Sequence, residues 1–234
     1  MEFQAPAQQM GYDRAIVVFS PEGRMYQVEY ARKAVDKATT VVGVAFNGGV
    51  VLAGTKILQK LLVSEKVEKV LKIDSHIGAA SCGILADCRV LADYARVRCQ
   101  VNMITYDQPI ELASLVKDIG DRIQRFTQIG GIRPYGCGML FAGSEDRGRL
   151  FETDPSGTVR EWKAHAIGRG TKLAKEYLIT KFKDGMAKEA ALELAIAALK
   201  HAEPNVTARN TEIGIAEGGK FRKLDSFEVK KIVG

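Results

Sequence analysis

A patterned leader in front of the first strand-like run limits what this 234-residue chain can fold into. The run begins at Thr39 and reads Thr-Thr-Val-Val-Gly, a β-branched series that favours a strand. Before it, residues 20–23 read Ser-Pro-Glu-Gly, in which proline presets a tight turn and glycine lets the chain leave it. Residues 24–37 then show helical spacing, because four apolar residues recur on one face: Met25, Val28, Ala31 and Val35.

The helix predicted over residues 24–37 is amphipathic, so its apolar face needs a surface to pack against. Two partners satisfy that need, namely the remainder of the chain and a neighbouring subunit. Either partner makes the leader a lasting part of the folded protein and not a disposable tail.

Strand-like and helix-like runs occur in separate blocks after the leader. Strands are predicted at residues 39–46, 50–55, 70–73, 76–80, 136–142, 149–153 and 159–166. Helices are predicted through residues 84–99, 112–126, 171–181 and 187–200, followed by a short C-terminal helix with Ser226 as its N-cap. Such segregation indicates an α+β fold in which helices cover the faces of the sheets.

Composition restricts the class of protein. A chain of this length and mixed composition fits one compact domain. No stretch reaches the about 20 apolar residues of a membrane span, and the first residues lack a secretory pattern, which predicts a cytoplasmic protein without membrane attachment. The net charge of +6 is scattered among acidic residues, so nucleic-acid binding is not indicated. The four cysteines form no CxxC pair and are predicted to be reduced, largely buried thiols.

Motifs for other chemistry are weak. Residues 168–172 read Gly-Arg-Gly-Thr-Lys and open a predicted helix, but they lack the arrangement that cradles a nucleotide phosphate chain. The three histidines are far apart in sequence, which favours neither a zinc site nor a histidine-based proton relay. The sequence therefore predicts no metal site and no cofactor.

Several motifs, in their order and approximate spacing, resemble the α-type subunits of the 20S proteasome, most closely the archaeal kind. The resemblance runs from about residue 10 to residue 233 and therefore covers nearly the whole chain. Its motifs lie at residues 12–14 (Tyr-Asp-Arg), 19–24 (Phe-Ser-Pro-Glu-Gly-Arg), 27–31 (Gln-Val-Glu-Tyr-Ala), 81–91, 105–107, 130–136 and 153–157.

The resemblance implies a fold and a division of the chain. The fold is the four-layer αββα sandwich of N-terminal nucleophile hydrolases, with an additional N-terminal helix. Residues 1–38 would form a gate segment and that helix, and residues 39–234 the sandwich, the two making one compact domain.

The resemblance also implies a role without catalysis. Such a subunit forms a homo-heptameric outer ring, assembles on the proteolytic β subunits, admits unfolded polypeptides through a gated pore and receives the C-termini of a regulatory ATPase ring. By the same resemblance, the gate residues would be Tyr12, Asp13, Pro21 and Tyr30. The activator-docking pocket would include Lys69, Arg32 and Ile84, and a plain surface salt bridge is the alternative for Lys69.

A self-processed threonine protease is the alternative function. By the resemblance, Thr39 occupies the register of the nucleophile, and Lys69 that of the lysine that assists it. That chemistry needs a free N-terminal amine as base. Ala38 stands where self-processing relatives usually have glycine, Thr55 stands where they hold an acid, and the leader resembles a retained segment. These features favour the reading without catalysis.

Overall fold

A computed structural model of the chain describes residues 17–62 and 67–234. Its helices are α1 (Tyr26–Lys37), α2 (Leu85–Tyr106), α3 (Leu112–Phe126), α4 (Thr171–Lys181), α5 (Lys188–Ala202) and α6 (Ser226–Val233). Its strands are β1 (Val41–Phe46), β2 (Gly49–Thr55), β3 (Val70–Lys72), β4 (Ile77–Gly83), β5 (Cys137–Ser144), β6 (Gly148–Thr153), β7 (Val159–Trp162), β8 (Ala164–Ile167), β9 (Thr211–Glu217) and β10 (Lys220–Lys223).

The strands form two antiparallel sheets of five. The first sheet has the order β10-β9-β2-β1-β8 and the second the order β3-β4-β5-β6-β7. Between them lies an apolar core that includes Leu52 of the first sheet and Leu140 and Leu150 of the second, all fully buried. Burial on both faces explains why β2 and β5 are apolar along most of their length.

Helices cover the outer face of each sheet. The buried residues of α4, α5 and α6 pack on the first sheet. The helices α2 and α3 pack on the second sheet, where Leu91, Leu115 and Ile119 are fully buried. The α+β class and the four-layer αββα sandwich are therefore confirmed, because the layers follow the order helix, sheet, sheet, helix.

Helix α1 packs on its own chain. Val28 and Val35 are buried, and Val35 belongs to the core between the sheets. The turn before the helix has the predicted form: the Gly23 amide donates to the Ser20 carbonyl at 2.8 Å, and Gly23 has a φ of +75°. The helix begins at Tyr26, two residues later than predicted, and Met25 caps it.

The predicted strand over residues 159–166 is wrong as a single element. The chain instead forms β7, which pairs with β6 in the second sheet, and then β8, which pairs with β1 in the first. The change of sheet takes place at Lys163, whose carbonyl accepts from the Ala45 amide at 2.8 Å. Both halves are extended, so the local pattern carries no sign of the crossing.

Two predicted element starts are also corrected. The first strand starts at Val41, so Thr39 and Thr40 precede it. The C-terminal helix is capped by Asp225 and not by Ser226: the Asp225 carboxylate accepts from the Phe227 and Glu228 amides, and the Glu228 side chain accepts from the Asp225 amide. Either residue is a good N-cap by type, so only the reciprocal bonds distinguish them.

The two sheets approach closely at Gly148 and Gly49, which gives a first prediction. A Cβ on Gly148 would lie 2.0 Å from the Gly49 carbonyl oxygen, a backbone atom that cannot rotate away. We expect Gly148→Ala to lower the free energy of unfolding by about 1–3 kcal/mol. Gly130→Ala is the matched control because a Cβ there meets no atom within 4 Å. Thermal unfolding measures both variants, and equal stability would contradict the close approach.

Candidate functional site

Thr39 lies in the short segment between the end of α1 and the start of β1, and it is 6% exposed. Ala38, the C-cap of α1, donates its amide to the Val35 carbonyl, and its own carbonyl accepts from the Arg169 amide at 2.9 Å. The Thr39 hydroxyl donates to the Thr55 carbonyl at 2.6 Å. The segment is therefore fixed on both sides of the Ala38–Thr39 peptide bond.

Lys69 immediately precedes β3 and reaches toward Thr39 from the second sheet. Its ammonium donates to the carbonyls of Thr39 at 3.1 Å and Ser81 at 3.0 Å, and the residue is only 4% exposed. The Lys69 and Val70 amides both donate to the Glu212 carboxylate, at 2.8 and 2.9 Å. No carboxylate of the described residues pairs with the ammonium, so it does not form the surface salt bridge considered as an alternative.

The Thr39 hydroxyl is not arranged for proton transfer to a base. Its proton is directed at the carbonyl oxygen of Thr55, and the contacts of the Lys69 ammonium are to carbonyl oxygens and not to this hydroxyl. Thr55, which replaces the acid of catalytic relatives, has a buried hydroxyl without a partner in the described part of the chain. A nucleophilic hydroxyl needs a base within hydrogen-bonding reach.

A buried polar network beside Thr39 was not predicted from the sequence. The Glu203 carboxylate, in a residue that is 3% exposed, accepts from the Thr40 amide at 2.9 Å and from the Thr40 hydroxyl at 2.7 Å. It also pairs with the Arg169 guanidinium, and the Gly170 amide donates to the Thr40 hydroxyl at 2.9 Å. Burial raises the pKa of the Glu203 carboxyl, but the bonds from Arg169 and Thr40 outweigh it and leave the pKa below its ordinary value.

The network lacks a local sequence signal because its members come from three distant segments. Glu203 is the C-cap of α5, Thr40 precedes β1 and Arg169 precedes α4. A single acidic residue at the end of a helix is ordinary in type. An acid close behind an alanine- and leucine-rich helix is the one available hint, because such a position is close to the core.

A cavity of about 410 Å³ opens beside Lys69. We call it the Lys69 cavity. Apart from the ammonium and Lys56, its walls are mainly apolar, and they include Ala38, Thr39, Ile57, Leu62, Gly83 and Leu85. Ile57 and Leu85 are each more than half exposed. The arrangement therefore combines one inward cation with an apolar rim that is open to solvent.

The other predicted site residues lie around α1. Pro21 is exposed in the turn over residues 20–23, and Tyr30 is 42% exposed on α1 with its ring stacked on that of Tyr26. Ile84 caps α2 between two residues that line the Lys69 cavity. Tyr12 and Asp13 lie outside the described residues.

Arg32 lies in a different place from Lys69. It pairs with Asp154 at 2.9 Å and lines a second cavity of about 420 Å³, which also contains Glu152 and His165. Within a single chain, the structure thus brings Thr39, Lys69 and the Ile84 segment together but leaves Arg32 apart from them.

Comparisons with known proteins agree with the fold and the site. Residues 35–217 match the family model described as "Proteasome subunit", and residues 12–34 match a second model, which describes the N-terminal signature of the α-type proteasome chains. Since the first match spans well over half of the chain, this protein belongs to the proteasome subunit family. Its N-terminal signature and its relatives place it, within that family, among the α-type members.

The relatives share the chain over almost its full length. The sequence is 48% identical to the proteasome alpha subunit of Methanoregula boonei over 98% of both chains. It is 49% identical to that of Methanosarcina acetivorans over 97% of this chain and 94% of the relative. Identity to the alpha subunit of Pyrococcus horikoshii is 48% over 99% of this chain and 89% of the relative. The resemblance to archaeal α-type subunits is thereby confirmed.

Proposed function

We propose that this chain is the non-catalytic α subunit of a 20S proteasome core particle. In this proposal it forms a homo-heptameric outer ring, serves as a template for the β subunits, gates the entry of unfolded polypeptides and docks a regulatory ATPase. It would work in the cytoplasm. The N-terminal signature and the α-type relatives support this function over the other roles that the fold can carry.

The observation that carries the non-catalytic role is the internal position of Thr39. Helix α1 packs into the sandwich and runs directly into Ala38, so the Thr39 nitrogen is held in a peptide bond. The threonine mechanism uses the free α-amine of that residue as base. The hydroxyl itself donates to a carbonyl. The same helix that completes the fold therefore withholds the amine that the chemistry requires.

The gate is proposed to lie in residues 1–38. The Ser20–Gly23 turn fixes the direction in which the segment before α1 leaves the sandwich, and the Arg24 amide donates to the Ser20 hydroxyl at 3.2 Å. Pro21 restricts the backbone at the exposed corner of that turn. Tyr30 lies on the exposed side of the following helix. Movement of this turn would redirect the segment that carries Tyr12 and Asp13.

Activator docking is proposed for the Lys69 cavity. A C-terminal carboxylate with an apolar neighbour fits a cavity that holds one ammonium and an apolar rim. Two carbonyls hold the ammonium in place and leave its third N–H for such a carboxylate. Ile84 adjoins the same cavity, and Arg32 would take part only from a neighbouring subunit, because in its own chain it lines the second cavity.

Subunit contacts are proposed for the outer face of α2. Four apolar side chains of that helix are substantially exposed, namely Val97, Val101, Ile104 and Tyr106. An apolar stripe of this kind marks a surface that a partner covers. The proposed partners are the β ring and the neighbouring chain of the same ring.

Electron microscopy and intact-mass measurement of the chain, with and without a β subunit, test the proposed function. We expect sevenfold rings from the chain alone and capped barrels after the β subunit is added. The mass should retain the residues before Thr39, and no peptide hydrolysis should occur without the β subunit. A mass that begins at Thr39, together with hydrolysis by the chain alone, would instead establish the self-processed protease. Failure to form rings and barrels would remove the structural role.

A further inference from the structure

The two buried thiols of Cys88 and Cys137 are in direct contact. Their sulfur atoms are 2.6 Å apart, although the residues are distant in sequence and belong to different elements. Cys88 lies in the first turn of α2, and Cys137 is the first residue of β5. Both are almost completely buried.

Several backbone and side-chain bonds hold these two segments together. The Ile84 amide donates to the Gly136 carbonyl at 2.8 Å, and the Gly136 amide donates to the Asp87 carboxylate at 2.8 Å. Asp87 also forms a bidentate pair with Arg133, at 2.6 and 2.7 Å. The contact between the sulfurs is thus imposed by a rigid surrounding and not by two free side chains.

Gly83 explains how the chain brings α2 over the start of β5. It pairs with Cys137 in the sheet and has a φ of +123°. A Cβ at Gly83 would lie 2.1 Å from the Gly136 carbonyl oxygen, so only glycine allows this approach. The next five residues then reach Cys88, which lies above its partner.

The other two cysteines are excluded from this pair by their positions. Cys82 belongs to the core between the sheets, where its thiol contacts the Val35 and Thr39 carbonyls, whereas Cys88 and Cys137 lie on the helix-covered face. Cys99 lies eleven residues along α2 from Cys88, a separation of roughly 16 Å at the helical rise. Burial raises the pKa of both remaining thiols to about 12.

We propose that Cys88 and Cys137 are an oxidation site, at which a peroxide converts the two thiols into an intrachain disulfide that joins α2 to β5. The bond needs the sulfurs to close to about 2.05 Å, a small movement for atoms already in contact. It fastens the segment that supplies Gly83 and Leu85 to the Lys69 cavity.

The chemistry divides between the two residues. The hydrogen bond from the Cys137 thiol lowers the pKa of the Cys88 thiol, while burial raises that of Cys137. The Cys88 thiolate attacks one peroxide oxygen, the O–O bond breaks, and Cys88 becomes a sulfenic acid as hydroxide leaves. The Cys137 sulfur then attacks the Cys88 sulfur, the S–O bond breaks and water leaves. In total, two thiols and one hydrogen peroxide give one disulfide and two waters.

Peptide mapping of the unmutated full-length chain tests the proposal without any variant. The purified protein is reduced with a phosphine, freed of reductant, treated with hydrogen peroxide, unfolded and alkylated. We expect alkylated cysteines to fall from four to two, with one cross-linked peptide that joins residues 88 and 137. Four alkylated cysteines, a cross-link to Cys82 or Cys99, or a Cys88 oxyacid without a cross-link would each overturn it.

Thermal unfolding supplies an independent measurement. Closure of a loop of about 50 residues should raise the Tm of the peroxide-treated chain by roughly 10 °C over the reduced chain. Cys88→Ala should abolish the peroxide-dependent rise, and Cys99→Ala should retain it as the matched buried cysteine of the same helix. An equal rise in both variants would also overturn the proposal.

Discussion

Lys69→Met should abolish the stimulation of protein degradation by a regulatory ATPase while the core particle still assembles. The substitution keeps most of the side-chain stem in the cavity and removes the ammonium. Loss of one partner from a largely buried charge pair costs about 2–5 kcal/mol, which is roughly 30-fold or more in docking affinity. The measurement is the rate of degradation of a folded substrate by the assembled particle, with and without the ATPase and ATP.

Two comparisons give this prediction its meaning. Lys69→Arg retains a cation and should retain part of the stimulation, whereas Lys183→Met removes an exposed ammonium beyond α4 and should leave it intact. Lys69→Met also leaves the carbonyls of Thr39 and Ser81 without their donor, at a cost of about 1–3 kcal/mol in stability. Electron microscopy must therefore show intact barrels. Full stimulation of such barrels would remove Lys69 from activator docking.

Peptide hydrolysis by the same barrels separates docking from catalysis. Small peptides need no unfolding, so the Lys69→Met particle should retain the hydrolysis rate that the β subunits give it in the absence of ATPase. A fall in that basal rate would instead show that the substitution disturbs the β ring. The two activities thus report on different parts of the particle.

Apolar spacing predicted the helices well because each helix buries one face on a sheet. The segment over residues 171–181 was predicted with its observed bounds, and that over residues 112–126 likewise. Such spacing reports only which face is buried and not which sheet buries it. The change of sheet at Lys163 was therefore missed, since β7 and β8 differ in their pairing partners and not in their local pattern.

The candidate site divides in the same way between local and distant information. The tight turn over residues 20–23 follows from proline and glycine, and motif register brought Thr39 and Lys69 to attention. The Lys69 cavity was expected only from the family resemblance, because its walls come from separate segments that meet in the fold. Glu203 was missed because its bonds to Thr40 span 163 residues. Hydrogen bonds between distant segments leave no periodic signal in either one.

Glu203→Ala should lower the free energy of unfolding by about 3–5 kcal/mol. The substitution leaves the buried Thr40 amide and hydroxyl without an acceptor and deprives Arg169 of its carboxylate. Glu193→Ala, on the exposed side of the same helix, is the matched control. Denaturant unfolding can be followed by the fluorescence of Trp162, the only tryptophan of the chain. Equal stability of the two variants would show that the network contributes little.

The pH dependence distinguishes the charge of Glu203 from its packing. Because the folded pKa of Glu203 is lowered, its stabilisation is fully present above the unfolded value of about 4.3 and is lost as the pH falls through the folded pKa. Glu203→Gln keeps the shape and an acceptor oxygen for Thr40 but carries no charge. The stability difference between the unmutated chain and this variant should therefore be constant near neutral pH and shrink in acid. A difference that does not change between pH 7 and acid would assign the effect to packing alone.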